Sequence, residues 1–193
     1  MPKTTNTPSA AAAVFTDETL SKAAELAADA HRPLWTGPSG EESSGEAVAR
    51  HLEATIALLE RDGWVRTYDS DAQWSTNPVL DTGESATVES MLRSLLDLVR
   101  EETAGTGDPR RSLFTALRHV SGSDHGDSDT CDIAAEILAL VIRAHTGSAT
   151  AHATQWSERL TRTYADITAL LTVGARFART YGPGAAVSGT AAA

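Results

Sequence analysis

The chain has a single cysteine, Cys131, among its 193 residues. This excludes an intramolecular disulfide and any multi-thiolate site for zinc or an iron–sulfur cluster. Aromatic residues are equally scarce at 5%, while the hydrophobic fraction of 41% is ordinary for a globular chain. The core must then come from Leu, Ile, Val and Ala, which suits close helix packing better than a thick β-sandwich. No uncharged run of about 18 apolar residues occurs, so no membrane-spanning segment is expected. The first fourteen residues lack a leucine-rich stretch and do not read as a secretory signal. A cytoplasmic protein is the expectation. Neither phosphate-cradling glycine motif is present, nor the Gly-x-Ser-x-Gly elbow of serine hydrolases. No cofactor is implied.

Positive charge is also in short supply. The 16 cations are almost all arginine, with lysine only at Lys3 and Lys22, against 26 acids and a net charge of −10. Coulomb repulsion makes such a chain a poor direct ligand of nucleic acid or of anionic membranes.

What is present is helical periodicity. Residues 1–14, rich in Thr, Pro and Ala, are expected to be disordered. Thr16 is a good N-cap for a helix that His31-Arg32-Pro33 ends, with Asp17 and Glu18 well placed against its dipole. Its apolar face, Leu20, Ala23, Ala24 and Ala27, is thin, and residues 15–31 read as an N-terminal helical arm. Residues 32–45 form a polar linker without periodicity.

The main domain is expected over 46–181. Val48, Leu52, Ile56 and Leu59 make one stripe, closed by Gly63 and Trp64. A short strand or hairpin is expected near 64–77. A helix over 87–102 is expected to carry Val88, Met91, Leu92, Leu95 and Val99 on its buried face. Asp108 and Pro109 have the form of an N-cap and first helical position for a helix through Val120. From 130 to 145 the chain is apolar nearly all round, leaving only a narrow polar strip of Asp132, Glu136 and Arg143. Such a helix is central. The last helix is the clearest, with Ile167, Leu170, Leu171, Gly174, Phe177, Ala178 and Tyr181 at helical spacing and Thr163 with Asp166 as an acidic capping box. Gly174 in mid-stripe predicts a close approach by another helix, the 130–145 helix being the candidate. Residues 182–193 read as a disordered tail. The fold class is all-α: a compact bundle of about five helices plus the N-terminal arm.

The segment 46–181 resembles a family of small proteins from actinobacteria and their phages, defined as a domain of unknown function. The resemblance rests on Gly63-Trp64, Trp156-Ser157-Glu158, Arg162-Thr163 and Asp166-Ile167. Where that family often shows a cysteine, two further residues and then Gly-Ala-Leu, this chain reads Ser112-Leu113-Phe114-Thr115-Ala116-Leu117, with neither the cysteine nor the glycine. Thiol chemistry at that place is not expected here.

Two groups of residues are candidates for function. Trp156, Arg159 and Arg162 join an aromatic to guanidinium groups, which suits recognition of planar or anionic partners. The competing structural reading has Trp156 plugging a gap between helices and Thr163 with Asp166 capping the last one. His119, Asp124 and His125, with Asp127, Asp129, Cys131 and Asp132 nearby, are the densest set of metal-ligand types. Their spacing matches neither a calcium loop nor a zinc-hydrolase helix, and a solvated acidic loop explains them. Three functions follow as expectations: a non-enzymatic module that binds a protein partner or itself, an acidic regulator of a nucleic-acid-handling protein, and an enzyme or metal protein using 119–132.

Overall fold

A computed structural model describes residues 13–67, 87–89, 92–93, 109–123 and 126–184. Among them are six helices: α1 Asp17–Ala28, α2 Gly45–Asp62, α3 Leu113–Ser121, α4 Ser128–Thr146, α5 Ala153–Ser157 and α6 Tyr164–Tyr181. β-Structure among the described residues is confined to isolated bridges, so the protein is all-α. No helix of the described residues is long and apolar enough to cross a membrane.

α4 is the centre. Ile137, Leu138, Val141 and Ile142 are wholly buried, and α4 touches every other described helix. Around it, α2 and α6 pack against each other most extensively, burying Leu52, Leu59, Ile167, Leu170, Leu171 and Phe177. A Cβ at Gly174 would come within 2.6 Å of Leu138 Cδ2 and 3.2 Å of Leu52 Cδ1. The mid-stripe glycine thus admits α4 and α2 together. A tighter approach joins the start of α2 to the end of α6, where a Cβ on Gly45 would lie 2.2 Å from the Ala178 carbonyl oxygen.

The caps follow local chemistry. Thr163 and Asp166 form a reciprocal capping box on α6, and Thr16 does the same with Thr19 on α1. Gly63, at φ +88°, ends α2 with its N–H donating to the Leu59 carbonyl. α3 starts later than the Asp-Pro pair predicts. Pro109 and Arg110 are not helical, because Arg111 is held by α2's exit: its N–H donates to the Gly63 carbonyl (3.0 Å) and its carbonyl accepts from Val65 N–H (3.1 Å). Ser112 is the N-cap instead. The Trp64–Arg111 bridge is what the described residues show of the strand expected near 64–77; residues 68–77 and Asp108 lie outside them.

The expected 87–102 helix is helical where it is described, at 88–89 and 92–93, but the burial expected of its apolar residues is corrected there: Val88 and Leu92 are 73% and 55% exposed. Met91, Leu95 and Val99 lie outside the described residues.

The N-terminal helix, read as an arm with a thin apolar face, packs on the bundle. Leu20 and Ala23 are 3% and 0% exposed, packed toward α4. Phe15 meets the rings of His145 at 4.8 Å and Trp156 at 6.2 Å. Small alanines let α1 lie close, so a thin stripe suffices. Ala13, within the stretch expected to be disordered, donates its N–H to the Asp166 carboxylate. At the other end Pro183 accepts from Gly45 N–H (3.0 Å).

The polar linker is folded. Gly37 N–H donates to the Glu41 carbonyl (2.9 Å) and Ser43 N–H to the Trp35 carbonyl (3.0 Å). Pro38 and Ser39 form the turn between, closed by Gly40 N–H on the Gly37 carbonyl (3.1 Å). Trp35 stacks on Phe177 at 6.4 Å, and Ser43 Oγ lies 2.8 Å from Thr130 Oγ1. Polar composition concealed this packing, since the hairpin is held by backbone bonds and two tertiary anchors.

Candidate functional site

Trp156 sits on α5, a five-residue helix, and is 2% exposed. The Arg162 guanidinium stacks over it, 4.1 Å from the ring centroid. Arg162 is steered by the chain turn that leads to the α6 cap, and its carbonyl accepts from Arg66 Nη1 (3.1 Å). The two residues singled out in sequence therefore meet, with Trp156 buried beneath the half-buried Arg162 and with Phe15 and the exposed His145 beside it. Burial, and then the charge of Arg162, hold the His145 pKa below its ordinary value. Arg159 is exposed and does not join this stack.

The acidic segment divides. His119 is exposed at the end of α3, and Asp124 and His125 lie outside the described residues. Asp127 is the N-cap of α4, its side chain accepting from Thr130 N–H at 2.8 Å. The buried Asp129 accepts from the Ser39 N–H (3.2 Å) and from the Ser39 hydroxyl. It ties the 35–43 hairpin to the first turn of α4. Burial raises the pKa of the Cys131 thiol, with Asp132 adding to the shift, which suppresses the reactive thiolate. Among the described residues no group of three His, Cys, Asp or Glu side chains has the arrangement of a metal site.

Near Asp127, whose charge acts on it, is His51 of α2. It is fully buried, and its ring lies against Gly126, where a Cβ would come within 2.3 Å of Nδ1. Neither ring nitrogen makes a hydrogen bond of good geometry. Burial lowers its pKa against the opposing effects of the Leu117 carbonyl and the Asp127 charge.

A concave feature of the surface lies elsewhere. A recess of about 790 Å³ opens between α1, the 30–38 segment and α4. Leu26, Leu34, Ile133 and Leu140 supply apolar lining, of which Ile133 and Leu140 are buried core residues. The charged lining is split between walls. Lys22 and Arg32 come from α1 and the segment after it, and Asp132, Glu136 and Arg143 from α4. Arg143 is clamped, with Nη1 2.9 Å from Glu136 Oε1 and Nε donating to the Ala151 carbonyl (3.2 Å). Lys22 and Arg32 are exposed and make no ion pair among the described residues.

The three α4 residues on this wall are the narrow polar strip of the otherwise apolar helix. That strip was the sequence signal for the site. It identified one wall but not what faces it, because the opposite wall comes from α1 and the supposed linker.

The fold and recess together define a small all-α protein built around one central helix, with a mixed apolar and charged cleft on its flank. Residues 43–177 match the Family of unknown function (DUF6197), and the chain belongs to that family. No curated protein and no solved structure matches the chain.

Proposed function

We propose that this protein is a non-enzymatic accessory or regulatory module that works by binding, and that the recess between α1, the 30–38 segment and α4 is where it receives its partner molecule. The observation that carries this reading is the convergence of three chain segments on one cleft with an apolar lining and charges at its walls. Its volume falls in the range of roughly 300–1,000 Å³ in which ligands of drug-like size are enclosed. The polar arrangement there, Glu136–Arg143 with the Ala151 carbonyl, is a clamp that shapes the wall rather than a nucleophile aligned with a base. Two acids of the 119–132 segment, Asp127 and Asp129, are engaged in internal bonds, which favours this reading over that of an acidic regulator of a nucleic-acid-handling protein.

A thermal-shift screen of the full chain against a chemically diverse compound panel tests this. A ligand at about 100 times its Kd adds about 2.7 kcal/mol, or a rise of roughly 5–10 °C in Tm for a chain of this size. The shift is expected to vanish in an Ala30→Trp/Ala149→Trp double variant, which fills the recess from two exposed positions. The bound compound is expected to be recovered unchanged by NMR. Its chemical conversion would assign an enzyme, and a screen without any recess-dependent shift would sink the binding reading.

A further inference from the structure

We propose that the ligand of this recess is a small amphiphile with one anionic group, a carboxylate on an apolar body, and this rests on the binding reading above. The apolar body is specified by Leu26 and Leu34 on one side and Ile133 and Leu140 on the other. The sign of the head group follows from which charges are already answered. Glu136 is neutralised by Arg143, and Arg143 is further held by the Ala151 carbonyl. Lys22 and Arg32 have no such partner among the described residues, although the chain carries 26 acids against 16 cations. Two unanswered cations on one wall of an apolar cleft, in a protein of net charge −10, form a local inversion of the global field.

Asp132 limits the ligand further. It stands on the α4 wall of the same recess, so a second anionic group reaching across would meet a like charge. The complement is therefore a single anion on the Lys22–Arg32 side. A guanidinium and an ammonium acting together suit a carboxylate, the first through paired N–H donors and the second as a mobile point charge. Both side chains are exposed and free to close over a bound head group.

The test uses three probes with the same ten-carbon chain, decanoate, decanol and decyltrimethylammonium, each below its micelle concentration. Isothermal titration calorimetry on the full chain is expected to show one decanoate site, at least about tenfold tighter than decanol, with decyltrimethylammonium weakest. Raising the salt should weaken decanoate and leave decanol unchanged. Lys22→Gln/Arg32→Gln is expected to bring decanoate down to the affinity of decanol without altering Tm, and Ala30→Trp/Ala149→Trp to remove binding of both. No decanoate binding, equal affinity for decanoate and decanol, tighter binding of the cationic probe, or decanoate binding that survives the filling substitutions would each overturn the proposal. If another compound still binds in a recess-dependent way, the site stands and only the ligand chemistry is wrong. If no compound does, both readings fail.

Discussion

Gly45 shows how a residue can be chosen against its own propensity. At the first turn of α2 an alanine is the better helix former, by roughly 1 kcal/mol. Yet a Cβ there would lie 2.2 Å from the Ala178 carbonyl oxygen and 2.9 Å from Gly182 Cα. Both obstacles are backbone, so neither can rotate aside. Gly45→Ala is expected to destabilise the protein by about 2 kcal/mol, within the usual range for overpacking, as read by urea unfolding. Gly174→Ala should be milder, because the atom it meets first is the end of the Leu138 side chain; an unchanged or raised midpoint for Gly45→Ala would contradict this packing. Sequence alone exposed Gly174, which interrupts an apolar stripe. It did not expose Gly45, which sits next to a stretch of Ser and Gly that reads as linker.

Asp129 belongs to the same scale. It reads in sequence as one more acid before a helix, but it is 6% exposed and holds Ser39. Asp129→Ala leaves the Ser39 N–H without its acceptor and is expected to speed amide hydrogen exchange at Ser39 at least tenfold, with the Thr130 amide, capped by Asp127, far less affected. Equal protection at Ser39 in both proteins would remove the tether.

Between elements, the decisive finding is that α1 and the 35–43 hairpin are packed parts of the fold. Leu20 is 3% exposed. Its truncation to alanine is expected to cost about 2–3 kcal/mol by chemical denaturation, as for other buried leucines, whereas a detached arm would lose less than about 0.5 kcal/mol. The same packing creates the recess, since two of its walls come from this region. α2 and α6 are further linked at their surface, where Arg179 Nε lies 2.9 Å from Glu46 and Nη2 2.9 Å from Glu53. Both carboxyl pKa values are lowered, first by the hydrogen bond from Arg179. These groups are solvated, so the network orients the helices more than it stabilises them.

At the scale of the whole molecule, two histidines, the fully buried His51 and the exposed His145, shape the response to acid. His51 and His145 both have pKa values below the ordinary 6.5, chiefly through burial. The unfolded chain therefore binds more protons than the folded one as pH falls. Stability is fully present above about pH 6.5 and is lost progressively below it, toward the depressed folded values. Tm is expected to drop between about pH 7.5 and 5.5, and His51→Leu should flatten that dependence by removing the fully buried histidine. A slope identical in the variant would show that His51 does not carry it. At lower pH the carboxylates add their own loss. Asp62, held near a pKa of about 2 by hydrogen bonds from Arg61 and Arg111, contributes stability above about pH 4 that disappears as pH falls through its lowered value.

The helices themselves were determined by sequence. Stripes such as Ile167–Leu170–Leu171, the Thr163–Asp166 box and the nearly all-apolar run of α4 are local patterns, and local patterns carry their own capping and burial preferences. The single Cys131 and the −10 charge likewise bounded the chemistry without any fold. Only the tertiary structure decided that α1 packs, that Trp156 is buried beneath Arg162, and that Asp129 anchors a hairpin. It also decided that Lys22 and Arg32 stand opposite the polar strip of α4. The pairings of Ser39 with Asp129 and of Lys22 with Asp132 join residues about 100 positions apart, and no periodicity in a one-dimensional pattern encodes which distant faces meet. What one cysteine and few aromatics left open was therefore settled by packing, which placed the cleft where a charged strip and an apparent linker come together.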